Sequence, residues 1–98
     1  MAKQYNNTNK ANQANKWVEV TQGVSIRKSG NSEYFSLNWY GAIIHGCAVR
    51  NGSNGDFISF PSFKNAQGQY VKRAYVWAEP NSDDFDTLKR VLAAAKEL

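Results

Sequence analysis

Across residues 17–78 apolar and polar positions alternate in short runs, and after Pro80 the spacing of apolar residues becomes helical. A β-strand sends successive side chains to opposite faces, so each alternating run predicts a strand with one inward face. Residues 17–28 alternate imperfectly around Val18, Val20, Val24 and Ile26, which predicts a strand with a bulge at Gly23. Ser29-Gly30-Asn31-Ser32 is a turn cluster. Residues 34–40 alternate cleanly, with Phe35, Leu37 and Trp39 on one face and Tyr34, Ser36, Asn38 and Tyr40 on the other. Gly41 breaks that run, and residues 42–50 resume it. The two Asn-Gly steps of Asn51-Gly52-Ser53-Asn54-Gly55 predict a hairpin. Phe57-Ile58-Ser59-Phe60 is then a strand ended by Pro61, with Phe63 and Lys64 in the turn beyond. Residues 65–68 turn the chain again before a last strand over 70–77.

In the last segment Phe85, Leu88, Leu92 and Ala95 share one stripe. Asn81 or Ser82 can cap its amino end, and Asp83, Asp84 and Asp86 suit the positive pole of the helix. The fold class expected is α+β: an antiparallel sheet of four to five strands followed by one carboxy-terminal helix. Phe35, Leu37, Trp39 and Ile44 are assigned to its core. Val91, Ala94 and Leu98 lie beside the main helical stripe and are expected to remain available to a second copy. Residues 1–16 contain seven Asn or Gln, three Lys and no large aliphatic side chain after Met1, the composition of a flexible polar tail. The domain proper is thus residues 17–98.

Charge changes this picture more than overall composition does. Residues 1–78 hold nine Lys or Arg against three acids, whereas residues 79–98 hold three against five. The positive field belongs to the strand region, which suits a polyanionic partner there. The single cysteine, Cys47, excludes an intrachain disulfide and sits in an apolar run as a small buried hydrophobe. A reducing, cytoplasmic setting fits this best, and neither a signal core nor a membrane-length apolar run is present. His45 has no second histidine, cysteine pair or carboxylate run beside it, so no catalytic or metal constellation is visible. No cofactor and no enzymatic activity are expected.

Eleven of the thirteen aromatic residues and six Lys or Arg fall within residues 17–78. Rings and cations side by side on an outward sheet face are the chemistry that holds an unpaired nucleic-acid strand. Tyr34 and Tyr40 lie opposite the core triplet, and Tyr70 and Tyr75 share a run with Lys72 and Arg73. Arg27, Lys28, Arg50 and Lys64 lie near strand ends, where phosphate contacts commonly arise. Phe63 completes the candidate set as a loop aromatic. Trp17 can either stack or cover the core.

The strand order closed by a helix, with Lys72-Arg73-Ala74-Tyr75-Val76, Pro80 and the Phe85/Leu88 helix, resembles a group of single-stranded DNA-binding domains. That group includes the eukaryotic positive cofactor four and the plant Whirly proteins. Locally, Val18-Glu19-Val20-Thr21 and the run from Asn54 through Phe60-Pro61-Ser62-Phe63-Lys64 to Tyr70 are similar to the stage V sporulation protein G family. The first resemblance implies sheets that grip unpaired strands and helices that join protomers. The second implies a dimeric bacterial DNA-binding regulator, from which this chain departs in its richness in Trp and Tyr.

The function expected is that of a single-stranded DNA-binding protein with little sequence preference, acting in bacterial or bacteriophage replication or recombination. DNA is favoured over RNA as the partner, no membrane partner is expected, and the chain is expected to form a homo-oligomer through its helix. Two other readings stay open on the sequence: a sequence-specific DNA- or RNA-binding regulator, and a protein-interaction module.

Overall fold

The computed structural model describes residues 16–30 and 32–98. The polar tail expected over residues 1–16 lies outside the described residues except for Lys16. Strands β1 (Val18–Thr21), β2 (Val24–Lys28), β3 (Phe35–Trp39), β4 (Ala42–Gly52) and β5 (Gly55–Ser59) form one antiparallel sheet in chain order. Strands β6 (Ser62–Lys64) and β7 (Tyr70–Lys72) form a separate two-stranded ribbon, and helix α1 (Asp83–Ala95) follows. The expected α+β fold, a five-stranded sheet followed by a helix, is what the chain adopts.

Two-residue turns dictate the register. Residues 17–28 are a hairpin rather than one bulged strand: Gly23, at φ +87°, sits in the turn, and the irregularity falls between Glu19 and Thr21. Tyr40 and Gly41 both have positive φ, as a type I′ hairpin turn requires. The two tips are joined, because the Tyr40 backbone N–H donates to the Gly23 carbonyl at 2.8 Å. Between β4 and β5 the pair Gly52 and Gly55 closes the expected Asn-Gly hairpin.

One sheet face is covered by α1. Val24, Ile26, Phe35, Leu37, Cys47 and Val91 form the buried cluster, with Trp39 and Ile44 packed against it but only half-buried. Val91, expected at the flank of the helical stripe, is instead its fully buried centre, and Ala94 packs beside it. Val91 is therefore not available to a second copy, whereas Ala94 is only partly covered and Leu98 stays exposed. Phe85, Leu88 and Leu92 lean toward β5 and line an open groove with Ile58 and Phe60. The Ser82 hydroxyl caps the helix by accepting from the Phe85 N–H at 3.1 Å. At the other end Lys96 reaches Asp56 of β5 at 2.7 Å and holds that carboxyl below its ordinary range, through the hydrogen bond first and its charge second.

The last expected strand, over 70–77, stops at Lys72. Arg73 donates its N–H to the Pro61 carbonyl at 2.8 Å, but proline has no N–H to return, so the ladder ends there. Phe63 and Lys64, expected in a turn, lie on β6.

Candidate nucleic-acid interface

Alternation from the buried residues places Ser25, Arg27, Ser36, Asn38, Ala48, Arg50 and Ser59 on the sheet face turned away from α1. Register puts Arg27 beside Ser36, Arg50 beside Phe57 and Ala48 beside Ser59. Ser36 is only 1% exposed although it points outward. An extra residue in β4, between Ile44 and Cys47, crowds His45 and Gly46 opposite it. The Ser36 hydroxyl is satisfied there by His45 Nδ1 at 2.6 Å. A hydroxyl and an imidazole alone, with the hydroxyl buried, form a structural contact at the middle of the face.

Three arginines on or beside this face each lie against an aromatic ring. The Arg27 guanidinium sits 4.9 Å from the Trp17 ring centre, that of Arg50 5.8 Å from Tyr34, and that of Arg73 5.1 Å from Phe63. Such stacking holds a planar guanidinium in place and turns its edge donors toward an acidic group, whether a carboxylate or a phosphate. Tyr34, Gly46, Arg50, Ser59, Ser62 and Arg73 line one groove of about 280 Å³. Gly46 has φ +87° and approaches Pro61, so the bulge itself shapes this groove. Two strand spacings and about four residues of rise separate Arg27 from Arg50, roughly 15–20 Å across the face.

Arg50 has a second partner. Its two terminal nitrogens face the two Glu33 carboxylate oxygens at 2.9 and 3.5 Å. That hydrogen bond, then the carboxylate charge, raises the Arg50 pKa further above its already high ordinary value. The guanidinium is a permanent cation whose contact with Glu33 lies at the surface, not in the core.

The remaining candidates scatter. Lys28 lies at the end of β2 and lines a different cavity, with Val49, Ala95 and Leu98 near the helix terminus. Tyr40 stands at the hairpin tip, edge-on to Trp39 at 5.2 Å and against Gly23, and braces two turns rather than joining the groove. Lys64, Tyr70 and Lys72 lie together on the β6–β7 ribbon. Tyr75 follows the ribbon in irregular, exposed chain. Sequence reasoning left Trp17 undecided and missed Glu33, Gly46, Ser59 and Ser62. The pairing of β3, β4 and β5 and the return of the chain past Pro61 bring those groups together.

No family model, curated protein or solved structure matches this chain. Among the described residues no cluster of His, Cys, Asp or Glu is placed to hold a metal ion, and no helix is long and apolar enough to cross a membrane.

Proposed function

We propose that this protein binds single-stranded nucleic acid, DNA in the first place, along the sheet face turned away from α1. The observation that carries this reading is the set of three guanidinium–ring pairs, of which the Arg50–Tyr34 pair and the Arg73 guanidinium open on one groove. Each pair offers what a nucleotide needs, a ring for the base and a fixed cation for the phosphate. Stacking accepts every base, so little sequence preference is expected. Handling of transiently unpaired DNA in replication or recombination is the role that suits such a surface.

The test is fluorescence anisotropy with single-stranded DNA, single-stranded RNA and blunt duplex at several salt concentrations. Three phosphate contacts from Arg27, Arg50 and Arg73 give a slope of log K on log salt of about −2 for a single strand. Blunt duplex is expected to bind more weakly. A duplex of one sequence that competes as well as single strand overturns the proposal and favours a sequence-specific regulator.

A further inference from the structure

The ribbon of β6 and β7 is an appendage whose six strand residues are all exposed, so both of its faces meet solvent. Its register pairs Ser62 with Lys72, Phe63 with Val71 and Lys64 with Tyr70. In a two-stranded ribbon, paired side chains share a face and successive pairs alternate. Phe63 and Val71 therefore occupy one face, where Arg73 lies over the Phe63 ring. The other face carries Lys64, Lys72 and Tyr70, and Tyr70 is 76% exposed. Residues 57–78, which include the whole ribbon, contain no acid.

The ribbon is also stiffened at its tip. Asn65 Oδ1 accepts from the Gln67 and Gln69 N–H groups at 3.0 and 2.9 Å, and the Asn65 N–H donates to the Gln69 carbonyl at 2.8 Å. Such a held turn lowers the ordering entropy that the ribbon has to lose on binding. In size, three residues per strand give about 10 Å of paired length and the strands lie about 4.8 Å apart. A B-DNA major groove, about 12 Å wide and 8.5 Å deep, admits a two-stranded ribbon of that kind. At the ribbon's foot Arg73 lines the same groove as Tyr34 and Arg50.

We infer that the ligand is a junction between single strand and duplex. The unpaired strand lies on the sheet face, and the Lys64–Tyr70–Lys72 face of the ribbon enters the major groove of the adjoining duplex. This rests on the single-strand reading above and extends it. Lys64 and Lys72 meet phosphates flanking the groove, and the Tyr70 hydroxyl lies between them as a further hydrogen-bonding group.

The experiment compares the full chain's affinity for a labelled single strand, for the same strand extending from a duplex of about one helical turn, and for the blunt duplex. The tailed duplex is expected to bind about tenfold tighter than its single strand at about 50 mM salt, with a slope steeper by about 1.8 from two duplex phosphates. In the Lys64→Ala/Lys72→Ala double variant that preference is expected to fall below about twofold and the two slopes to converge. Both lysines are exposed, and circular dichroism checks that the variant is folded. A tailed duplex bound no tighter than its single strand, or a preference that survives the double substitution, overturns the junction proposal. A chain that binds no single strand at all overturns the single-strand reading itself, so the two failures are distinguishable.

Discussion

Glu33→Gln is expected to tighten binding, an outcome that separates a working Arg50 from a merely exposed one. In the free protein the Arg50 guanidinium is engaged by Glu33 at 2.9 Å and lies over the Tyr34 ring. To meet a phosphate it has to share or leave that carboxylate, whose charge also repels the incoming strand. The pair is solvent-exposed, and exposed ion pairs are weak, so removing the competition gains roughly two- to fivefold in affinity. The gain shrinks as salt rises, since the Debye length is about 10 Å at 0.1 M. Arg50→Gln has the opposite effect: it removes one contact and makes the single-strand salt slope shallower by about 0.7. The two changes interact, so Glu33→Gln in an Arg50→Gln background is expected to recover only a minor part of the gain. The assay is anisotropy with a labelled single-stranded oligonucleotide over a salt series. Glu33→Gln binding no tighter at low salt, or a gain undiminished without Arg50, refutes the placement of Arg50 in the interface.

Tyr34→Ala is expected to weaken single-strand binding by about 1–3 kcal/mol, as loss of one stacking partner does, while Tyr34→Phe retains most of the affinity in the same titration. Gly23→Ala is expected to lower stability by about 1–2 kcal/mol in urea unfolding, because φ there is positive. The new methyl would also lie 2.8 Å from Tyr40 Cδ1. Burial pushes the Cys47 thiol up to about 11, against an ordinary 9.0 in the unfolded chain. The folded protein thus keeps its proton longer, and stability falls by about 1.4 kcal/mol per pH unit between about pH 9 and 11. Urea midpoints at pH 8 and 10 are expected to separate more for the native chain than for Cys47→Ala, and an equal loss in both counts against the burial of Cys47.

Much of the fold is legible in the local physical chemistry of the sequence. The strands within residues 34–40 and 42–50, the Asn-Gly hairpin and the helix after Pro80 are properties of neighbouring residues, and each stands where the chain pattern puts it; of the two caps that pattern allows, Ser82 is the one used. Phe35 and Leu37 were legible as core for the same reason. Other features were misplaced because partners distant in sequence decide them. A strand over 70–77 obeys alternation, yet it ends at Lys72 because the residue across from Arg73 is a proline. Val91 reads as a flanking residue on a helical wheel, but the angle at which α1 crosses β1, β2, β4 and β5 makes it the centre of the contact.

The basic and aromatic character of the candidate interface belongs to the sequence by itself, since it follows from which side chains occupy residues 17–78. Which of those side chains act together was decided only by the tertiary structure. Pairing of β3 with β4 through the Gly46 bulge, and the return of the chain past Pro61, draw Tyr34, Arg50 and Arg73 into one groove. The same pairing sends Lys28 and Tyr40 elsewhere. Alternation tells each strand which side chains share a face, but register between strands sets which faces meet, and register is a long-range property.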